Sequence, residues 1–220
     1  MLLESVAYTR PGSVDEALAE LAANEGAALL DGGQSLLNVL KNRVASVEAL
    51  VDISRLEELR RIDVGADGSL EVGACVTYDE LDRSPDVRAG HTVLADVAGH
   101  IEDHQIRNRG TIGGNCCLGD TTNNLPPILI ALGATMNIQG PSGIRAVAAE
   151  NFFHAFFSTA VEQGELLRSI SIPAVGAGAG VGYVSLAVGG DAKAIVRSAA
   201  WVRANGAIED ARVVLAVVGP

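Results

Sequence analysis

Residues 31–35 read Asp-Gly-Gly-Gln-Ser, and residues 110–115 read Gly-Thr-Ile-Gly-Gly-Asn. Paired glycines leave the backbone amides of a turn uncovered, so that these amides can converge on an anion. Ser35, Thr111 and Asn115 add hydroxyl and amide donors at the same two places. One glycine turn alone is best interpreted as a chain reversal. Two turns of this composition, one of them preceded by an apolar strand, favour a binding site for a dinucleotide.

The residues around the first turn predict a small parallel α/β unit over residues 1–55. Ser13 and Glu16 have the spacing of a capping box at the start of a helix with one apolar face. If Ser35 opens the helix that follows the turn, its free amides and dipole favour a phosphate there. The predicted elements are a helix that begins at residue 13, strands at residues 27–30 and 49–53, and a second helix at residues 36–42.

Beyond residue 55 short strands and isolated helices predict a second α+β unit, over residues 56–174. Thr77 and Glu80 form another capping-box pattern, before an apolar helix that ends near Gly99. Four aromatic residues at helical spacing predict a further helix, with a core face or a partner-subunit contact as the alternatives. They are Phe152, Phe153, Phe156 and Phe157.

The C-terminal part of the chain begins with a glycine-rich segment. Residues 175–182 alternate Gly with Ala and Val and carry no charge, so they are predicted to form a flexible linker. Residues 183–220 then form a separate unit, in which Asn205-Gly206 is a strong hairpin signal between two apolar runs.

The composition excludes several classes of protein. Of the 220 residues, 48% are hydrophobic and 20% are charged, which is enough apolar surface for a folded core and rules out disorder. Twenty-seven acidic against 16 basic residues give a net charge of −11, which repels nucleic acid and anionic lipid. No stretch reaches the roughly 18 apolar residues of a membrane helix, and no secretory signal is visible. We therefore expect neither nucleic acid nor membrane insertion.

The three cysteines are too few for a disulfide framework, which predicts a reducing, cytoplasmic location. They are also too few for an all-thiolate iron–sulfur centre, which needs four ligands. Cys116 and Cys117 are predicted to be small core residues. His100 and His104 lie four residues apart, but Ile101 replaces the Glu that a zinc hydrolase motif requires, so no metal site is predicted.

Beyond these general features, the two turns resemble a known family. Residues 31–37 are similar to its Ala-Gly-Gly-Gln-Ser-Leu-Leu turn, and residues 105–115 resemble its second turn almost letter for letter. The family is the FAD-binding medium subunit of molybdenum hydroxylases, which includes carbon monoxide dehydrogenase and xanthine dehydrogenase. The resemblance implies an α+β fold of the vanillyl-alcohol oxidase type, in which two subdomains hold FAD. A C-terminal α+β domain would follow. It would be incomplete here, since relatives continue for several tens of residues beyond the point where this sequence stops.

The resemblance also implies which residues bind the cofactor. FAD would be noncovalent, since no His or Cys occupies a recognised attachment position. Asn124 stands where the family usually has an acidic residue, Ser185 where a lysine is common, and Lys193 where an aromatic residue often lies. The implied cofactor-binding residues are Asp31, Gly32, Gly33, Gln34, Ser35, Leu36, Ile101, Thr111, Ile112, Gly113, Gly114, Asn115, Asn124 and Leu167.

By the same resemblance the protein transfers electrons inside a larger enzyme. A large partner subunit would hold a molybdenum cofactor, a small partner subunit would hold iron–sulfur clusters, and the flavin would pass electrons to an external acceptor. No residue of this chain would act as a general acid or base. Two alternatives remain at this point: a stand-alone flavin oxidase of the same fold, and a non-enzymatic interaction module that has lost FAD.

Overall fold

A computed structural model describes residues 3–188 and 194–218. Lys193 lies outside the described residues. The helices are α1 (Val14–Ala23), α2 (Leu36–Lys41), α3 (Tyr78–Arg83), α4 (Pro85–Gly90), α5 (Thr92–Gly99), α6 (His104–Arg107), α7 (Ile112–Cys117), α8 (Leu125–Leu132) and α9 (Ala149–Phe152), with a 3₁₀ turn at Glu57–Leu59. The strands are β1 (Ala7–Thr9), β2 (Ala27–Leu30), β3 (Ala49–Asp52), β4 (Ile62–Val64), β5 (Leu70–Gly73), β6 (Thr135–Gly140), β7 (Gly143–Ala148), β8 (Phe153–Ala155), β9 (Ser158–Thr159), β10 (Leu166–Ile172), β11 (Ala179–Leu186), β12 (Val196–Ala204) and β13 (Ile208–Ala216).

The first unit, made of β1–β3 with α1 and α2, confirms the predicted parallel arrangement. Its strands lie in the order β1-β3-β2, and both pairings are parallel. At the start of α1, Ser13 Oγ accepts a hydrogen bond from Glu16 N at 3.2 Å. The Glu16 carboxylate accepts from Gly12 N at 2.6 Å, one residue earlier than a standard capping box would place it.

The second unit contains β4–β10 and α3–α9, and it holds the larger hydrophobic core. Its main sheet has the order β4-β5-β10-β6-β7 with antiparallel pairs. Helices from the middle of the chain cover one face of this sheet, and their apolar side chains are fully buried there. Examples are Leu94, Ile128, Leu129 and Phe152.

Residues 78–99 form three short helices, so the prediction of a single apolar helix is wrong in its interior. Ser84 ends α3 and also caps α4, because its Oγ accepts from Val87 N at 3.3 Å. Pro85 takes the first position of α4, where its missing amide costs nothing. The capping box predicted for Thr77 and Glu80 is confirmed in both of its hydrogen bonds.

The aromatic residues at positions 152–157 do not form one helix, so that prediction is wrong. Helix α9 ends at Phe152, and the chain continues as β8, a turn and β9. Phe152 is buried, whereas Phe156 and Phe157 are exposed. The spacing of these aromatic residues matches a helix, but the chain changes from helix to strand after Phe152. Side chains that would share one face of a helix therefore point in different directions.

The prediction of a flexible linker at residues 175–182 is wrong over its second half. Residues 179–182 are the first residues of β11, which pairs with β12 in an antiparallel ladder. The predicted hairpin is confirmed, since β12 pairs with β13 across a turn in which Gly206 has a φ of 76°. Trp201 fixes this C-terminal sheet to the preceding segment, because its Nε1 donates to Val175 O at 3.1 Å. The domain boundaries themselves stay predictions.

None of the helices in residues 3–188 and 194–218 is long and apolar enough to span a bilayer.

Phe152→Ala is expected to lower the free energy of unfolding by about 3–5 kcal/mol, because a fully buried ring would leave a cavity. The ring also makes an edge-to-face contact with Phe153, at a centroid distance of 5.0 Å. Urea unfolding measures the change as a lower midpoint with an unchanged slope. Phe156→Ala is the matched control, since Phe156 is 59% exposed. Equal stability of the two variants would contradict the assignment of Phe152 to the core.

Candidate functional site

A cavity of about 540 Å³ lies where the first unit meets the second. Both glycine turns contribute to its wall, together with apolar side chains of β2 and α2 and with Ile53, which follows β3. The sequence-predicted residues that line it are Asp31, Gly32, Gly33, Gln34, Ser35, Leu36, Thr111, Gly113, Gly114, Asn115 and Leu167. The structure therefore brings together two turns that are separated by about 80 residues in the sequence.

The two turns touch directly, and glycine is required at the contact. A Cβ on Gly32 would lie 2.1 Å from the carbonyl oxygen of Arg109, so no side chain fits between the turns. Gly33 has a φ of 74°, a left-handed conformation that L side chains rarely adopt. Gly32 thus allows the two turns to approach each other, and Gly33 allows the chain to turn.

The second turn is held on the segment that precedes α3. Ile112 N donates to Val76 O at 2.9 Å, and Gly113 N donates to Ala74 O at 2.8 Å. A Cβ on Gly113 would lie 2.6 Å from the Ala74 Cβ, so this glycine is needed for packing. These backbone hydrogen bonds fix the start of α7 against the core of the second unit.

Gly114 differs from the other turn glycines because it faces the cavity. It is exposed, its φ is ordinary for a helix, and a Cβ there would meet only Thr111 Oγ1, at 2.9 Å. The space in front of its backbone is therefore open to a bound anion. Its amide already donates to Thr111 Oγ1, so what this position offers a phosphate is unobstructed space beside the start of α7.

Asp31 and Thr111 join the two turns through their side chains. Thr111 Oγ1 donates a hydrogen bond to Asp31 Oδ2, and it accepts one from Gly114 N at 3.1 Å. Burial raises the pKa of Asp31 to about 6, although the hydrogen bond from Thr111 and the nearby Cys75 thiol act to lower it. A titratable carboxyl group thus lies inside the predicted phosphate site.

Asn115 presents an unused acceptor beside the same turn. Its Nδ2 donates to the Tyr78 hydroxyl at 3.0 Å, and its backbone oxygen accepts from Asn123 Nδ2 at 2.7 Å. Its Oδ1 is buried and has no hydrogen-bond partner among the described residues. Buried polar atoms are normally satisfied, so this oxygen points to a donor supplied by water or a ligand.

Three sequence-predicted residues do not line the cavity. Ile101 and Ile112 are buried in the core of the second unit, and Asn124 lies beside the Tyr183 hydroxyl of β11. Leu167 does line it, at a β-bulge between Leu167 and Ser169 that shifts the register of β10 against β6. The assignment of all of these residues to cofactor binding stays a prediction.

Several lining residues were missed by sequence reasoning. Tyr78 and Asn123 are polar groups beside the second turn, and Phe157 is an exposed aromatic residue at the wall. Cys117, predicted as a core residue, is exposed and lines the cavity, whereas Cys116 is buried as predicted. Only the capping box that starts α3 at Tyr78 gave a local signal near this wall. The remaining positions depend on contacts between distant segments.

Comparison with known protein families gives one match, over residues 4–175. The matching family is described as the FAD binding domain in molybdopterin dehydrogenase. Among curated proteins, the chain is 41% identical over 181 residues to the carbon monoxide dehydrogenase medium chain of Hydrogenophaga pseudoflava, covering 81% of this chain and 62% of that one. It is 31% identical over 172 residues to the putative xanthine dehydrogenase FAD-binding subunit of Escherichia coli (strain K12), covering 78% and 59%.

Solved structures show the same relationship. Carbon monoxide dehydrogenase from Hydrogenophaga pseudoflava, in a form that lacks the Mo-pyranopterin moiety, matches with a TM-score of 0.94 and 37% identity over 98% of this chain and 76% of that one. Quinoline 2-oxidoreductase from Pseudomonas putida 86 matches with a TM-score of 0.93 and 33% identity over 100% and 76%. The chain spans about three fifths of the length of the curated relatives described above.

Proposed function

Because the chain belongs to the family of FAD-binding domains of molybdopterin dehydrogenases, we propose that it is the electron-transfer flavoprotein subunit of a molybdenum hydroxylase. The observation that carries the proposal is the meeting of two glycine turns from different units at one cavity. FAD, when bound, supplies the redox chemistry, and the protein supplies position and electrostatics.

The residues at the cavity fit FAD. Gly114 leaves open space beside the start of α7, where a pyrophosphate fits without meeting a side chain, and Asn115 Oδ1 is a buried acceptor without a partner among the described residues. Away from the turns the wall is apolar, with Leu29, Val39 and Leu167 as examples. A polar centre with apolar walls suits a ligand that has a charged middle and flat aromatic ends.

The proposal assigns the other redox centres to partner subunits. Iron–sulfur clusters would lie in a small subunit and the molybdenum cofactor in a large one. Curated relatives are named medium chain or medium subunit, which supports an assembly with partners of other sizes. Electrons would enter from the small subunit and leave to an external acceptor. The cytoplasmic location stays a prediction.

The test is to reconstitute the purified chain with FAD. We expect one flavin per chain with visible absorption bands, full release of the yellow colour on acid precipitation, and reduction by dithionite without turnover of any organic substrate. No binding of FAD would contradict the proposal and favour the interaction module. Turnover of an organic substrate by the chain alone would favour the stand-alone oxidase, and colour that remains in the precipitate would contradict noncovalent binding.

A further inference from the structure

The turn between β8 and β9 carries two adjacent exposed aromatic rings. Phe156 is 59% and Phe157 is 57% exposed, and their ring centroids lie 4.0 Å apart with an interplanar angle of 52°. Phe157 lines the cavity between the two units, whereas Phe156 is not part of its wall. An aromatic side chain buries a large apolar area when it is covered, so an exposed ring at a cavity wall indicates a surface that a ligand covers.

The backbone at Phe157 is held in an unfavourable conformation. Its φ of 57° lies in the left-handed region, which is uncommon for bulky side chains because the Cβ crowds the backbone. Such outliers persist where the surrounding structure fixes them, and they cluster at ligand sites. Here Phe157 is the second central residue of the two-residue turn between β8 and β9, and this backbone conformation fixes the direction in which its side chain leaves the turn.

A specific contact fixes that conformation. Phe157 N donates to Gly119 O at 2.8 Å, which ties the β8–β9 turn to the end of α7. Gly119 has a φ of 64°, and a Cβ on it would lie 3.1 Å from the Phe157 carbonyl carbon. Glycine is thus required at position 119, because a side chain there would collide with the backbone of Phe157.

The same helix that carries the second glycine turn therefore sets the place of the ring. Helix α7 runs from Ile112 to Cys117, and Gly119 follows it. At a rise of 1.5 Å per residue, six residues separate the two ends of α7 by roughly 9 Å. In FAD a sugar unit or the ribityl chain separates the pyrophosphate from each aromatic ring system. Phe157 is tied to the end of α7 opposite the glycine turn and lines the same cavity as that turn.

We propose that Phe157 is a positioning residue for FAD, whose ring stacks on one of the two aromatic ring systems of the cofactor. This inference rests on the proposed function. Aromatic stacking of a base tolerates different ring chemistries because every base has a π-face. The contact would close one end of the cavity and cover the exposed ring.

The test compares FAD dissociation constants, measured by flavin fluorescence titration of the apo protein. Phe157→Asn removes the ring and keeps a residue that tolerates the left-handed conformation. We expect FAD binding about tenfold weaker in this variant, in line with aromatic-to-Ala effects on base stacking. Phe157→Tyr keeps the ring and should bind as tightly as the unchanged chain. Phe156→Asn, the matched control, removes a ring that touches Phe157 but does not line the cavity, so it should change the constant less than Phe157→Asn does.

Titrations with ADP and with FMN identify the ring system. A weaker ADP complex of Phe157→Asn assigns the stack to adenine, and a weaker FMN complex assigns it to the isoalloxazine; both results support the inference. Equal FAD affinity of Phe157→Asn and the unchanged chain would overturn it, as would equal losses in Phe157→Asn and Phe156→Asn. Failure of the unchanged chain to bind FAD would instead reject the proposed function, so the two failures are distinguishable.

Discussion

Gly114→Val is expected to weaken FAD binding by at least about 100-fold while the apo protein stays folded. A branched side chain at this position would occupy the open space in front of the turn, where a phosphate oxygen would lie. Hydrogen bonds to a charged group contribute about 1.5–3 kcal/mol each, and displacement of the phosphate would remove at least two of them. The core is spared because the contact found for the added Cβ is Thr111 Oγ1, at 2.9 Å, so the Thr111 side chain has to shift but no buried apolar side chain does. Titration with FAD and circular dichroism measure the two effects separately.

Two other glycines provide matched controls for this substitution. Gly113→Val is expected to destabilise the fold itself, because its Cβ would lie 2.6 Å from the Ala74 Cβ. Gly182→Val should change neither property, since nothing lies within 4 Å of that position in β11 and its φ is ordinary. Gly178 is a poorer control because its φ is 72°. Unchanged FAD affinity of a folded Gly114→Val protein would show that the second turn is purely structural.

The first unit could be predicted because its signals are local. The apolar run at residues 27–30 and the run at residues 49–53 are bounded by turn residues, and both became strands at the expected places. Ser13 begins α1 as its capping pattern indicates. In contrast, β1 was not predicted. It is three residues long and exists through its parallel pairing with β3, about 40 residues away.

The predicted linker shows why other elements could not be predicted. Residues 179–182 read as flexible because Gly has no side chain to bury and weakens a strand interior. Pairing with β12 supplies the hydrogen bonds that make β11 a strand, and this pairing is a tertiary contact. Gly180 and Gly182 fall on a face where nothing lies within 4 Å, so the strand tolerates them.

The candidate site divides in the same way. The two glycine turns could be identified from composition and spacing, and the structure brings both to one cavity. The reason for each glycine could not be derived from sequence, because it depends on a contact with a distant segment. Gly32 lies against the Arg109 carbonyl, and Gly113 packs against Ala74. The hydrogen bond between Asp31 and Thr111 also joins distant segments. This bond places the titratable Asp31 carboxyl beside the predicted phosphate site, where its charge acts on a bound cofactor.

Affinity for FAD is expected to fall as the pH rises above about 6, because Asp31 would then ionise beside the pyrophosphate. Burial raises the pKa of this carboxyl to about 6, from an ordinary value of 3.8. The groups that act on it are the Thr111 hydroxyl, the Cys75 thiol, and the more distant charges of Arg60 and Asp52. Protonated Asp31 is neutral and compatible with a nearby phosphate, whereas the carboxylate repels it.

The sign of the effect follows from linkage between proton binding and the two equilibria. The folded chain holds the Asp31 proton more tightly than the unfolded chain, so this residue reduces the stability of the apo fold as pH rises from about 4 to about 6. The loss is roughly 3 kcal/mol for a change in pKa from 3.8 to about 6. Bound pyrophosphate favours the protonated form further, so FAD affinity declines by up to about tenfold per pH unit above 6.

Asp31→Asn tests whether Asp31 causes the pH dependence, because the variant loses the titrating carboxyl of Asp31 and keeps all other titrating groups. The amide keeps an acceptor oxygen for Thr111 and carries no charge. We expect its FAD affinity to be flat between pH 6 and pH 8, and up to about 100-fold tighter than that of the unchanged chain at pH 8. Fluorescence titrations at half-unit steps of pH measure both curves, and the ionisable groups of FAD do not titrate in this interval. Parallel curves for the two proteins would mean that Asp31 lies too far from the pyrophosphate to act on it. Uniformly weaker binding by Asp31→Asn at every pH would instead show that the carboxylate serves the site by orienting Thr111, and that its charge is tolerated.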